Sequence, residues 1–377
     1  MKIAINCIFC QPRGGGIKEY IVNLTNHLAQ ADQDNTYILY VLEDQLDFAK
    51  SLLPRSFRIK TVPFKSDFLS VVRRSLFSQY FWTHEEDTEQ FDIFHSPFFH
   101  APKMKRAKLA VTVHDLRLYR YPQTYNPLRY MFLKRAVKDA IRRADHIITI
   151  SHFTKQEIIQ LCGVKAEKIT VVHEAVNREA FSAEMIKDYV LPQEYAELAS
   201  SCFLFSLGHI EPRKNYPRLI EAFRKLKQKK EHADLKLIIA GKKYVDYKAT
   251  VELMDATSDV LYLDFIPRKL LLWLYKNAQL FVFPSTYEGF GFPPLEAASL
   301  GTLSAVSNVS SIPEVCGDCV FYYSPYDVDE MAHVIDRALN DRELRSQKQR
   351  LLEPQLNSFS WEKNATETLN VYKKVMA

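Results

Sequence analysis

Nowhere in the 377 residues does an apolar run approach the ~20 positions needed to cross a bilayer, so no membrane-spanning helix is expected. The first apolar run, residues 2–9, is too short for a secretory h-region and no small-residue cleavage site follows it, which points to the cytoplasm. Sequence repeats and low-complexity tracts are absent, so the two halves share an architecture and not a sequence. The six cysteines include Cys7/Cys10 and Cys316/Cys319, a spacing that suits zinc or a redox pair. Against that, Cys7 lies in an apolar run, the pairs fall in different halves, and no clustered histidines complete a ligand set, so no metal is expected. Nucleic-acid recognition motifs are missing too, and nucleic acid is not an expected partner.

What is present is a chain too long for one hydrophobic core, with 47% hydrophobic residues to fill two. Short β-rich apolar runs alternate with longer amphipathic segments, the pattern of βαβ units in parallel sheets. Strands are expected at 2–9, 36–41, 58–62, 91–95, 108–114, 146–151 and 169–173, with helices near 17–30 and 127–144. The pattern lapses over 177–201 and resumes with strands at 202–207, 235–240, 260–263, 280–283, 304–307 and 320–323, and helices starting near 217, 268 and 294. Domains are therefore expected at 1–185 and 186–360, each a doubly wound Rossmann-like α/β unit, followed by a last helix over 361–377.

Charge is unevenly spread. Between Lys103 and Arg143 twelve basic residues face only Asp115 and Asp139, interleaved with Tyr119, Tyr121, Tyr125, Tyr130 and Phe132. Such a stretch suits a membrane surface or an anionic acceptor, and equally a solvated helix face.

Ligands of open α/β sheets bind beyond the carboxyl ends of strands, so the informative residues should follow the predicted strands. After the first comes Gly14-Gly15-Gly16 at a helix start, where backbone can pass close to a negatively charged ligand or simply turn tightly. Glu19 stands where a Gly-x-Gly-x-x-Gly fingerprint needs its third glycine, which argues against a dinucleotide oxidoreductase. His114-Asp115 follow the strand 108–113, where a histidine can bind a sugar hydroxyl, act as a base, or serve structure alone. Gly208-His209-Ile210-Glu211-Pro212-Arg213-Lys214-Asn215 opens a helix and offers two cations for a diphosphate leaving group, unless they are a solvated basic pair. The segment Glu288-Gly289-Phe290-Gly291-Phe292-Pro293-Pro294-Leu295-Glu296 places two glycines ahead of a helix start between two carboxylates. Glu296 alone could be a dipole-stabilising acid of the first turn, but that explains neither Glu288 nor the glycines.

These motifs, together with Ile-Thr-Ile-Ser at 148–151, Phe-Val-Phe-Pro-Ser at 281–285, Ser-Asn-Val-Ser-Ser-Ile-Pro-Glu-Val at 307–315 and Phe-Ser-Trp-Glu at 359–362, resemble the family 4 glycosyltransferases along most of the chain. The resemblance implies a GT-B fold, with two Rossmann-like domains facing across a cleft and the final helix crossing back to the N-terminal, acceptor-binding domain. It implies that Glu288 holds donor-sugar hydroxyls, Glu296 the ribose, and Lys214 with Arg213 the diphosphate. His114 would face the sugar, while the amides from Gly291 to Leu295 complete the phosphate site. Gly15, Gly16, His209, Ile266, Gly289, Phe290 and Phe292 would border the donor, with the base against 264–266. Many relatives carry arginine where this chain has His209, which leaves Arg213 or another group as the second cation. Glycosyltransferases of the other large fold hold a metal by Asp-x-Asp after a strand; here Asp32-Gln33-Asp34 follows a helix and Asp327-Val328-Asp329 begins one, so no metal or other cofactor is expected. Retention at the anomeric carbon is implied. The segments Glu-Pro-Arg-Lys-Asn and Tyr-Glu-Gly-Phe-Gly-Phe-Pro-Pro-Leu-Glu look most like bacterial mannosyltransferases of surface-polysaccharide assembly. That suggests GDP-mannose as donor, a lipid-linked or lipopolysaccharide-core saccharide as acceptor, and peripheral contact with the inner membrane surface. A nucleotide-sugar epimerase and a catalytically silent nucleotide-sugar-binding homologue are the alternatives.

Overall fold

The computed structural model describes residues 1–12, 14–66, 68–99 and 101–377, the side chains of 68–77 excepted. The chain forms two compact units, Met1–Ala175 with Ser360–Ala377, and Val176–Phe359. In the first, β1 (Lys2–Asn6), β2 (Thr36–Leu42), β3 (Arg58–Val62), β4 (Ile93–Ser96), β5 (Lys108–Val113), β6 (His146–Thr149) and β7 (Ile169–Val171) form a parallel sheet in the order β3-β2-β1-β4-β5-β6-β7. In the second, β8 (Phe203–Leu207), β9 (Lys236–Ala240), β10 (Val260–Leu263), β11 (Leu280–Phe283), β12 (Ser304–Ser307) and β13 (Phe321–Tyr323) form another, ordered β10-β9-β8-β11-β12-β13. Strands buried on both faces lose the alternation of a one-sided sheet and read as continuous apolar runs, as in Leu-Phe-Val-Phe of β11.

Counting α-helices of eight residues or more, the first unit holds α1 (Gly15–Ala31), α2 (Phe68–Glu89), α3 (Pro127–Arg143) and α4 (His152–Cys162). The second holds α5 (Tyr216–Leu226), α6 (Lys248–Asp255), α7 (Arg268–Asn277), α8 (Phe292–Ser299), α9 (Val328–Asn340) and α10 (Arg342–Asn357). The last helix, α11 (Trp361–Met376), belongs to the first unit, burying Trp361, Ala365, Leu369, Val371 and Tyr372. Tyr372 Oη meets Nδ1 of the buried His95 at 2.7 Å.

The strands fall where expected but several end earlier. β1 stops at Asn6 because residues 7–10 turn, Cys10 N–H donating to Cys7 O at 2.8 Å. β6 stops at Thr149 because Ser151 caps α4, its hydroxyl accepting from Thr154 N at 3.1 Å. The passage between units also corrects the expected boundary at 185/186: residues 176–185 belong to the second unit. Phe181 is held there, buried beneath the Arg268 guanidinium 3.8 Å from its ring centroid, while Arg268 also donates to Ala180 O at 3.0 Å. Helices α2, α4, α6 and α10 were not anticipated.

Candidate active site

In the second sheet the strand order reverses between β8 and β11, which opens a crevice at their carboxyl ends. The loops leaving these two strands, 74 residues apart in sequence, meet there: Lys214 Nζ donates to Glu288 Oε1 at 2.7 Å. Arg213 Nη1 lies 2.8 Å from Glu288 Oε2 and donates to Tyr287 O at 3.0 Å, while its Nε lies 2.8 Å from Glu211 Oε1. Thr286 ties the loops together, its N–H and hydroxyl both donating to Arg213 O. Gly208 makes room for this: a Cβ there would come within 2.8 Å of Lys214 Cε. Lys214 is buried, with Nζ 4.7 Å from the Phe283 ring centroid. Burial raises the Glu288 carboxyl, but Arg213 and Lys214 outweigh it and hold the group at about 2. Burial also lowers the Lys214 ammonium, and Glu288 only partly opposes it.

The Glu288 loop is fixed from β12's far end. Ser311 hydroxyl donates to the carbonyls of Glu288 and Phe290, and Ser310 hydroxyl accepts from Glu288 N–H at 3.1 Å. Gly291, at φ 100°, is the N-cap of α8 and has no side chain to satisfy the first-turn amides. Pro293 and Pro294 carry no N–H, so the donors presented at this end are the amides of Phe292 and Leu295 with that of Gly291. The Phe290 and Leu295 side chains are buried, Phe290 against Phe292 and Phe359, so both residues offer a ligand only their backbone. Glu296 lies one turn into α8, with Oε2 accepting from Tyr275 hydroxyl at 2.7 Å. Next to the cations, the β8 and β9 loops pair through Ile210 N–H to Lys242 O, which stacks His209 on Tyr244 at 5.4 Å. Beyond them Lys242 Nζ stands 4.4 Å over the exposed Phe265 ring, and Ile266 is buried.

The first unit carries the remaining candidates. A Cβ on Gly14 would strike Phe9 O at 2.1 Å, and Gly15 has φ 58°, so glycine is demanded at both. Neither Gly15 nor Gly16 has anything within 4 Å of a would-be Cβ, which leaves bare backbone at the start of α1. Arg13 lies outside the described residues. His114 sits past β5 with Nε2 donating to Pro97 O at 2.8 Å and Nδ1 3.0 Å from Glu174 Oε1, its ring edge-on to Tyr20 at 4.9 Å. Burial disfavours its charge, but Glu174, helped by the Pro97 carbonyl and Asp115, outweighs burial and raises the imidazole above its ordinary value. A general base needs a nitrogen lone pair turned to its substrate, and both His114 nitrogens face protein oxygens, those of Pro97 and Glu174.

The model of the glycosyl transferases group 1 matches residues 192–350, and that of glycosyltransferase family 4 matches 14–180. O-antigen chain mannosyltransferase B of Escherichia coli is 32% identical over 285 residues, 74% of this chain and 74% of that protein. The chain belongs to glycosyltransferase family 4. Sucrose-phosphate synthase from Thermosynechococcus elongatus shares its fold with a TM-score of 0.75 at 16% identity, over 100% of this chain and 99% of that one. Anabaena HepE in complex with UDP-glucose does so with a TM-score of 0.71 at 19% identity, over 98% and 100%. The transferase therefore has the GT-B fold expected from its sequence.

Within each unit the structure sorts the expected site residues. In the second it brings Arg213, Lys214, Glu288 and the start of α8 together, with Glu296 on the same helix. It also shows residues the sequence did not single out for a role. Glu211 shares the Arg213 charge, Tyr275 anchors Glu296, Ser311 fixes the Glu288 loop, and Glu174 holds His114. Glu211, Glu174 and Ser311 each follow a predicted strand, the one signal that could have found them; Tyr275 lies inside α7 and gave none.

Proposed function

We propose that the transferase moves mannose from GDP-mannose to a lipid-linked or lipopolysaccharide-core saccharide, with retention at the anomeric carbon and without a metal ion. The observation that carries the reading is the Lys214–Glu288–Arg213 cluster at the switch point, beside the N-terminus of α8. A departing nucleoside diphosphate needs positive charge in place before its bond breaks; two fixed cations and unsatisfied helix amides supply it. Glu288, ionised and bound to both cations, can turn its oxygens to sugar hydroxyls as the diphosphate takes over the cations. Glu296 then grips the ribose diol. In the transfer, the bond from C1 to the phosphate oxygen breaks, the acceptor oxygen bonds C1 on the same face, and its proton passes to the departing phosphate oxygen. A phosphate acceptor for that proton fits His114, whose two nitrogens both face protein oxygens and not an acceptor hydroxyl. Mannose is supported by the name of the Escherichia coli relative, and the nucleotide-sugar class by the UDP-glucose bound to HepE. The acceptor places the enzyme in the cytoplasm at the inner face of the membrane; no helix among the described residues is long and apolar enough to cross one.

The test is a thermal-shift panel of GDP, UDP, dTDP and ADP, each with and without EDTA. A nucleotide at 100 times its Kd stabilises by ~2.7 kcal/mol, and GDP is expected to give the largest shift, unchanged by EDTA. A larger shift with UDP would replace the donor, a shift abolished by EDTA and restored by magnesium would overturn metal independence, and a flat response to all four would remove the nucleotide site and with it the transferase reading.

A further inference from the structure

Helix α3 is more basic and more apolar on its outer face than a solvated helix needs to be. It carries Arg129, Lys134, Arg135, Lys138, Arg142 and Arg143 against the single Asp139, an excess of six minus one that equals the formal net charge of the entire chain, +5. Asn126 caps it, accepting from Leu128 N–H at 3.0 Å, and Pro127 opens it. Its inner face is accounted for: Val137, Ala140 and Ile141 are buried, and Tyr130 and Leu133 pack against the core. Lys134 lies along the Tyr119 and Tyr130 rings, 5.6 and 5.4 Å from their centroids.

Among the described residues the opposite face has no such partner. Residues 128, 131, 132, 135, 138 and 142 recur at helical spacing and point away from the core. Leu128 is 79% exposed, Met131 66% and Phe132 59%. These occupy the first turns, and Arg135, Lys138 and Arg142 continue the stripe toward the carboxyl end. Asp139 is taken by Arg142 and Arg143, and Arg129, Arg135 and Lys138 have no carboxylate partner among the described residues. Arg143 donates to the carbonyls of Ala101 and Pro102, which joins this end of α3 to the loop bearing exposed Lys103, Lys105 and Arg106.

Three adjacent large apolar side chains in water are costly, and unpaired like charges beside them repel a second copy of the same face. A surface of opposite charge with an apolar layer behind it satisfies both. We infer that α3 docks the transferase on an anionic lipid bilayer, inserting Leu128, Met131 and Phe132 at its amino end while Arg129, Arg135, Lys138 and Arg142 lie among the headgroups. Long basic stems beside an inserted apolar edge are suited to that level. The inference gives the proposed lipid-linked acceptor a route to the enzyme and rests on that reading for its purpose only.

The test is co-sedimentation of the full chain with vesicles that contain neither donor nor acceptor, so it is independent of the transfer reaction. Vesicles of phosphatidylglycerol in phosphatidylcholine are expected to pellet the protein and pure phosphatidylcholine not to, with binding falling as salt rises. A basic residue near such a surface is worth about fivefold in partition, so reversing Arg135 and Lys138 to Glu should cost at least ~30-fold. Leu128→Glu with Phe132→Glu should cost as much, while both pairs keep the parent melting temperature and nucleotide shift. With no tryptophan on α3, Phe132→Trp reports insertion by a blue shift with anionic vesicles. No pelleting, equal pelleting by neutral vesicles, or pelleting indifferent to both pairs overturns the inference. So does a dimer of the parent that Leu128→Glu dissolves. A normal nucleotide shift with no vesicle binding sinks the docking and spares the transferase reading; the reverse pattern does the opposite.

Discussion

At the scale of single residues the site is a charge balance set up for exchange. Glu288 pairs with both Lys214 and Arg213, Glu211 sharing the Arg213 charge, and on the proposed function a diphosphate has to displace Glu288 from both cations. The two partners should then separate in experiment. Lys214→Ala removes a contact strengthened in the transition state and is expected to cost ~100-fold or more in transfer rate while also weakening nucleotide binding. Glu288→Ala is expected to cost as much in rate, yet to bind the nucleoside diphosphate as tightly as the parent or more so, because the cations lose their competitor. Steady-state transfer kinetics and calorimetric titration with GDP check both; a Glu288→Ala protein that loses nucleotide affinity along with rate would show that the carboxylate builds the phosphate site instead. His114 allows a second separation, through pH. Its imidazole is raised by Glu174, so the pair stabilises the fold fully below the unfolded value of about 6.5 and loses that contribution as pH rises through the folded one. The groups facing the ring are Glu174, Asp115, the buried His95 and Tyr20. Glu174→Gln is therefore expected to lower the melting temperature most near pH 6 and progressively less toward pH 9, and a gap constant with pH would show that Glu174 holds His114 without its charge.

At the scale of elements, the legible parts were those whose energetics are local. Every buried parallel strand showed as an apolar run because both faces lack water, and every candidate site residue except Leu295 and Glu296, inside α8, stood in the loop after a strand or at the start of the helix that follows it. Helices read well where one stripe is apolar, as in α3, and badly where it is thin. In α10 only Leu352 and Leu356 are buried and Pro354 interrupts the pattern, so nothing in its sequence announced a sixteen-residue helix. The pairings were illegible for a different reason. Arg213 could equally have reached outward as a second diphosphate cation; its confinement between Glu211 and Glu288 depends on the reversal of strand order that sets the β8 loop against the β11 loop. Likewise His114 read as an available imidazole, because Pro97 and Glu174, from the ends of β4 and β7, lie 17 and 60 positions away and only the sheet order brings them to it. Strand-end position is therefore a signal of membership in a site, and sheet order decides what the member can do there.

At the scale of the whole molecule, the chain passes from one unit to the other after residue 175 and returns at 360, so the first unit is completed only by a segment that follows the second unit in sequence. Helix α11 supplies it with Trp361, Leu369, Val371 and Tyr372, buried side chains worth roughly 1.5 to 3 kcal/mol each against a typical total domain stability of about 5 to 15 kcal/mol. It also supplies the hydroxyl that satisfies buried His95, whose charge is suppressed to about 3 by burial and by His114. The partners described above for the cations, Glu288 and α8, in contrast, all lie within residues 176–359. A chain ended at residue 360 is therefore expected to lose cooperativity in a specific way. One melting transition should move down sharply and ignore nucleotide, while a second still shifts upward with it, and transfer should be absent because His114 and the α1 start lie in the part that has melted. Calorimetry with and without GDP reads both transitions at once. A truncated protein that melts as one unit at the parent temperature would mean that α11 is dispensable to the first unit, and loss of the nucleotide-sensitive transition would mean that the donor half does not stand without it.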